Sequence, residues 1–382
     1  MRRSAPSLKA LRGELDGLDA KLLALVARRL RLVERIGRAK TAAGARVFDR
    51  GRERQIFERA RRLGRSLGLP VRLVERVVSL LLEASHDAQT ESGRERGRPG
   101  APVRRSERRR VIVVGGGGRM GRLFVHLFRR RGHDVDVLER GDRVRRARVA
   151  RADVVMVAVP MADAERVVLR YGRLAREDAL LCDVNSLKVG VCRALARSGT
   201  REALGTHPMF GPTVRSLRRQ KVILCPVRAG PLTDWLAREL GSMGAELVYT
   251  DPATHDRMMA VVQVLTHFGM MAMGRALSRA GVPLADTLAF MSPIYRLELA
   301  MVGRLFSQSP ALYQEILMRN PAGRPLVARF VREARELGVA LERGDRAAFR
   351  RSFVRIGRWF RGFGEEAMAL SDHIIETVMS RP

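Results

Sequence analysis

The chain is expected to fold as a multidomain protein, with an all-α N-terminal unit, a doubly wound α/β unit and an all-α C-terminal unit. Three observations predict this. Residues 1–90 show helical periodicity and almost no strand signal. From Val111 onward, short β-branched runs alternate with helical stretches: VIVVGGGG (111–118), DVDVLE (134–139), DVVMVAVP (153–160) and ALLCDV (179–184). That rhythm is the mark of a parallel sheet wound with helices. Beyond about residue 255 the strand runs stop, and helical patterns continue to the end. Residues 91–108 are charged, rich in Gly and Pro and nearly free of large apolar groups, a linker composition. The expected divisions are therefore 1–90, a linker 91–108, 109–254 and 255–382.

Composition bounds the function classes. A length of 382 residues suggests two or three domains, and 46% hydrophobic with 29% charged residues excludes wholesale disorder. No apolar run reaches a membrane span and the N-terminus lacks a signal-peptide core, so a cytoplasmic protein without membrane contact is expected. Three widely spaced cysteines make neither a disulfide framework nor a metal cluster, and no metal is expected. The net charge of +32 opens nucleic acid as a partner class. However, the 67 arginines and five lysines are spread over the whole length, which reads as a solvated basic surface rather than a binding stripe.

In the first region Leu8, Leu11, Leu15, Leu18, Leu22 and Leu25 follow the three-and-four spacing of a buried helical stripe. Continued, that spacing meets Arg29, Leu32, Ile36 and Lys40, so two cations fall on the apolar face. A buried cation needs a partner or a ligand, and two on one seam suggest an anion pocket. A second helix is expected to start near Asp49, with Arg52 and Glu53 in its first turn. A third begins around Pro70 and ends its stripe in Ser85 and Gln89, again polar where the seam should continue. A first helix of some 35 residues, about 50 Å long, leaves a stripe that ninety residues cannot cover. A partner chain is expected to complete the bundle.

These residues resemble the all-helical chorismate mutase family, a three-helix, intertwined dimer, over about residues 8–90. The family's active-site set falls in register on Arg12, Arg29, Lys40, Asp49, Arg52, Glu53, Ser85 and Gln89. The resemblance implies that Arg29, and Arg12 reaching in from the partner subunit, grip the carboxylates of chorismate. It gives Lys40 and Gln89 the ether oxygen, Glu53 the ring hydroxyl, and Ser85, Asp49 and Arg52 a supporting part. Such a rearrangement needs only a held conformer and stabilised charge. Gly13 and Gly17 are poor helix formers within the first helix.

In the second region, RRVIVVGGGGRMGRLF reads as strand, glycine turn and helix, with Gly116, Gly118 and Gly121 in G-x-G-x-x-G spacing. This is the dinucleotide turn of a Rossmann domain, with Arg119 and Met120 opening the helix whose N-terminus faces the pyrophosphate. Glu139, at the end of the second strand, is placed to accept from a ribose hydroxyl, which favours NAD over NADP. Arg140 beside it can tolerate a 2′-phosphate.

GTHPMFGP (205–212) then puts His207 in a glycine-bounded loop, and on these residues alone a structural turn and a functional histidine are equally open. With DVNSLK (183–188), THDRMMAVVQVLTHF (254–268) and SPIYRLELAMVGRLFSQSP (292–310), the region resembles the prephenate dehydrogenase family over about residues 109–375. The resemblance makes His207 the acceptor of the ring-hydroxyl proton, Ser186 the residue that orients it and the cofactor's nicotinamide end, and Lys188 a lining residue of the same site. It gives Arg304 a substrate carboxylate, Arg296 its support and His267 a substrate contact, and it makes the C-terminal helices a dimerisation domain. His255 and Asp256 are expected to cap or stabilise the start of their helix. NAD would be the cofactor, with prephenate and arogenate both open as substrates. The prolines of NPAGRP (320–325) imply a break in the helical tail.

Overall fold

The computed structural model describes residues 7–42, 50–92, 107–142, 146–214 and 216–379, without the side chains of 37, 38, 40–42, 50–54, 72, 83 and 86–92. Asp49 lies outside the described residues, as do the side chains of Lys40, Arg52, Glu53 and Gln89. The chain divides into two compact units, 1–102 and 103–382.

The first unit has helices α1 (Leu8–Ala42), α2 (Arg50–Ser66) and α3 (Val71–Ser92). The helix α1 runs unbroken through Gly13 and Gly17, whose missing side chains face open space. Pro70 sits immediately before α3 and its carbonyl accepts from Val74, as a first-turn proline should. α3 packs against both α1 and α2. Among the described residues, the hydrophobic side chains buried here are only Val33, Val74 and Leu82. The leucine seam of α1 is open: Leu15 is 58% and Leu22 59% exposed.

The second unit is built on a seven-stranded sheet. Its chain order is β1 (Arg110–Val114), α4 (Arg119–Arg130), β2 (Asp134–Leu138), α5 (Arg146–Val149), β3 (Val154–Val157), α6 (Met161–Gly172), β4 (Leu180–Asp183), α7 (Val189–Ala196), β5 (Glu202–Pro208), β6 (Lys221–Arg228), α8 (Pro231–Ser242) and β7 (Glu246–Tyr249). The spatial order is β2-β1-β3-β4-β5-β6-β7. Strands β1 to β5 pair in parallel, β6 runs antiparallel to β5, and β7 parallel to β6. Runs such as Val154–Val157 are apolar at every position because helices cover both faces of the sheet.

After β7 the chain is helical: α9 (Pro252–Met259), a π-helical turn (Ala260–Leu265), α10 (Thr266–Ser278), α11 (Leu284–Ala289), α12 (Pro293–Phe306), α13 (Pro310–Arg319), α14 (Gly323–Glu342), α15 (Arg346–Trp359) and α16 (Gly364–Met379). The break expected at NPAGRP separates α13 from α14. Asn320, fully buried there, donates to the Asp256 carbonyl at 2.8 Å and so ties the break to α9. Large apolar side chains on these helices face outward, among them Phe353 at 69% and Trp359 at 81% exposed. Among the described residues no helix is long and apolar enough to cross a membrane.

Candidate active site

In the first unit three of the eight sequence-derived positions have described side chains, Arg12, Arg29 and Ser85, and the structure joins the last two. The Arg29 guanidinium, carried on α1, donates to the Ser85 hydroxyl and, at 2.8 Å, to the Leu81 carbonyl of α3. Ser85 is buried, and burial lowers the Arg29 pKa from its ordinary value. A guanidinium has five donors, so two bonds leave Arg29 able to grip a planar anion. Arg12 is exposed on α1, on the surface that carries the open seam.

In the second unit the glycine turn has the shape a dinucleotide requires. A side chain on Gly121 would stand 2.2 Å from the Gly115 carbonyl oxygen, so the helix can sit against the turn only without one. Gly115, just before the G-x-G-x-x-G run, takes φ +81°, the left-handed region that favours glycine. Helix α4 starts at Arg119 with Met120 next, and no side chain caps its N-terminus, where Gly118 is the N-cap residue. Its first amides are thus open to an anion. Glu139 follows β2 and accepts from the Gly117 amide. With Gly118, Arg140, Asp142 and Tyr171 it lines a cleft of about 630 Å³. The residues present fit an adenosine diphosphate moiety.

Beyond the end of β4, the sequence expectations need correction. His207 lies on β5, not in a loop. The segment EALGTHP lacks a β-branched run, yet it is buried at every position and pairs with β4 and β6. His207 is 2% exposed, and burial, then the Lys188 charge, then His255 hold its pKa well below 6.5. Its Nδ1 lies 2.9 Å from Nε2 of His255, and its Nε2 lies 3.3 Å from Nε2 of Gln263 on the π-helical turn. Ser186, half-buried, shares no hydrogen bond with it, because both ring nitrogens are engaged elsewhere.

Lys188 does not line a substrate space either. It is fully buried, and its ammonium donates to Asp183 at 2.6 Å and to the Thr206 carbonyl at 2.7 Å. Nor do His255 and Asp256 cap their own helix. Asp251 does that, accepting from Thr254 at 2.9 Å ahead of Pro252. Asp256 instead accepts from the Lys188 and Val189 amides at the start of α7, at 2.8 and 2.9 Å, and from His255 Nδ1 at 2.7 Å. Burial raises the Asp256 pKa, but these donors outweigh it and the net shift is downward.

A second cluster gathers other expected residues. His267 on α10 meets the Tyr313 ring edge-on at 5.0 Å, and Gln308 donates to the Tyr313 hydroxyl at 2.9 Å. Burial raises the Tyr313 pKa against the opposing Arg304 charge, and burial lowers that of His267, whose Nδ1 has no partner. Arg304 is exposed and Arg296 half-buried, two turns apart on α12. Gln263 joins the His207 set without a motif of its own; its signal in the sequence is a lone amide in the apolar run AVVQVL, the same kind of signal as Lys40 on the leucine seam.

The fold and these two sites define a class: a helical mutase-type unit joined to a dinucleotide-dependent dehydrogenase. The family models agree, matching chorismate mutase type II over residues 11–90, the prephenate dehydrogenase nucleotide-binding domain over 129–248 and its dimerization domain over 251–355. A T-protein of Enterobacter agglomerans is 35% identical across 98% of this chain and 99% of its own, and one of Haemophilus influenzae 32% identical across 97% of each. The chain belongs to the T-protein family, bifunctional chorismate mutase and prephenate dehydrogenase. In fold, the second unit is similar to a crystal structure of prephenate dehydrogenase from A. aeolicus in complex with hydroxyphenyl propionate and NAD+. That likeness has a TM-score of 0.53 and 20% identity over 66% of this chain and 97% of the other.

Proposed function

We propose that this chain carries out two consecutive steps of tyrosine biosynthesis in two separate pockets. The first unit rearranges chorismate to prephenate. The second oxidises and decarboxylates prephenate to 4-hydroxyphenylpyruvate with NAD. The observation that supports this most strongly is His207, a histidine buried near the carboxyl end of β5 with its pKa held well below the ordinary 6.5.

In the first pocket Arg29 and Ser85 hold substrate oxygens, with Arg12 supplied by the partner subunit. Lys40, Gln89, Glu53, Asp49 and Arg52 take the parts given by the family resemblance. In the second, Gly116, Gly118 and Gly121 let the backbone approach the pyrophosphate, the Arg119 and Met120 amides receive its charge, and Glu139 accepts from the ribose. NAD, when bound, would supply the hydride acceptor for oxidation at the ring carbon bearing the hydroxyl. His207 takes the hydroxyl proton, while Arg304, Arg296 and His267 hold the rest of the substrate. Ser186 remains a candidate contact for the nicotinamide end, whereas Lys188 acts by holding Asp183 and β5 in place.

We infer a homodimer. The exposed leucine seam of α1 and the outward aromatic residues of α15 both call for a partner surface, and a second copy offers both. Three free, buried cysteines accord with a reducing compartment, and the cytoplasm is the inferred setting. The division into nucleotide-binding residues 109–254 and substrate-binding, dimerising residues 255–382 is part of the same reading. The test is the purified full-length chain with chorismate and NAD, followed by NADH absorbance, with NADP and arogenate compared. NADH formation from both chorismate and prephenate is expected. Formation from prephenate alone would leave the dehydrogenase joined to an inactive mutase-like unit.

A further inference from the structure

A histidine can act as a base only through the nitrogen that lacks a proton, and a neutral ring exists as two tautomers. Which one His207 adopts follows from groups that cannot change their polarity. The amides of Lys188 and Val189 can only donate, and they donate to Asp256. Two donors of fixed polarity converge on this carboxyl group, and its pKa is held below the usual carboxylate range, so it stays ionised and accepts only. His255 Nδ1, 2.7 Å away, must therefore carry a proton and donate it to Asp256. The Nε2 of a neutral His255 is then a lone pair, and it faces Nδ1 of His207 at 2.9 Å.

We propose that Asp256 and His255 are positioning residues that fix the proton of His207 on Nδ1, leaving Nε2 as the acceptor for the substrate hydroxyl. The assignment rests on the reading of His207 as the base. Gln263 agrees with it from the other side. Its amide nitrogen points at His207 Nε2 from 3.3 Å, and a donor is the group an unprotonated Nε2 calls for. That leaves the Gln263 carbonyl oxygen buried without a partner. Gln263 thus occupies the place on the base that the substrate hydroxyl takes over. It sits on the π-helical turn, the kind of local irregularity that re-aims a side chain within a helix. Asp256 has a second duty, since the amides it accepts from open α7, two residues after Ser186. The element next to the proposed nicotinamide contact and the tautomer of the base are therefore held by one carboxylate.

The direct test is the ¹⁵N spectrum of histidine-labelled full-length protein, with His207 assigned by comparison with His207→Asn. A pyrrole-type Nδ1 and a pyridine-type Nε2 are expected, and the reverse would overturn the proposal. The kinetic test compares H255L with H255Q in prephenate oxidation. Leucine offers no acceptor to His207 Nδ1, so kcat should fall roughly ten- to hundredfold with the KM for prephenate little changed. Glutamine can present an oxygen there and should recover most of the loss. Equal kcat in the two variants, or a change confined to KM, would count against the assignment. If H255L does not fold, the wild-type spectrum decides alone. If the wild-type chain oxidises no prephenate while the spectrum is as expected, the functional reading fails and the tautomer assignment stands.

Discussion

The two units solve one problem, binding a small ring diacid, with opposite degrees of completeness. The second unit covers both faces of its sheet, and the His207, His255 and Asp256 side chains are linked within a single chain. The first buries three hydrophobic side chains among those described and leaves Leu15, Leu18, Leu22 and Leu25 more than half exposed. The difference shows where each site's precision originates. His207, the proposed dehydrogenase base, is placed by the pairing of β5 and by the His255–Asp256 link. The first unit joins Arg29 to Ser85 within one chain, and in the proposed homodimer a second copy would cover its open leucine seam.

The comparison breaks most sharply if the two activities cannot be removed separately. His207→Asn is expected to lower prephenate oxidation by at least about a hundredfold, the scale of losing a general base, with chorismate consumption unchanged. Arg29→Ala should lower chorismate consumption by about two to three orders of magnitude, with NADH formation from prephenate intact. Initial rates with each substrate supplied alone decide the matter. Joint loss in either variant would mean that the pockets are not independent. The double substitution Leu15→Glu and Leu22→Glu sharpens the contrast, because it charges the open seam without touching the dehydrogenase site. It should abolish the mutase rate alone, and sedimentation should show weakened self-association.

A smaller but still large effect is expected at Lys188. Its ammonium and the Asp183 carboxylate are both fully buried, so removing one partner strands the other. Lys188→Met should destabilise the second unit by about 3–5 kcal/mol. Substituting both, Lys188→Met with Asp183→Asn, should recover part of that loss. Urea unfolding followed by Trp235, buried against His133 and Phe128, measures both. Lys188→Met with full stability and altered substrate affinity would instead return Lys188 to the lining role that the family resemblance implies.

The legible parts of the molecule were those in which local pattern and tertiary role coincide. The four β-branched runs became β1 to β4 because a strand covered on both faces must be apolar throughout. The helix start at Pro70 and the break at NPAGRP followed from proline geometry, and the glycine turn from steric need. Strand β5 was hidden because its pairing, not its propensity, makes it a strand. The role of Lys188 was hidden because sequence shows a cation near a motif but not the carboxylate five residues back that neutralises it. His255 and Asp256 were read as local caps because their real partners lie 48 and 67 or 68 residues away in sequence.

The smallest expected effect is on the pH dependence of the dehydrogenase. A base works while unprotonated, so activity is lost as pH falls through its pKa. Burial first, then the charge of Lys188 and the neighbouring His255, move the His207 pKa well below the ordinary 6.5. The acid limb of log kcat/KM for prephenate, which reports the free enzyme, should therefore lie below pH 6.5 and not at it. Stability moves in the same direction. An unfolded His207 takes up its proton near its ordinary pKa while the folded ring stays neutral, so the unfolded chain binds more protons and folding weakens as pH falls below that value. Since the same Lys188 charge contributes to the shift, a form with both Lys188 and Asp183 neutralised should move the acid limb upward. A limb at or above 6.5 in the wild-type chain would mean that His207 is more solvated than its buried position on β5 allows, and the contrast between a self-contained site and an unfinished one would narrow accordingly.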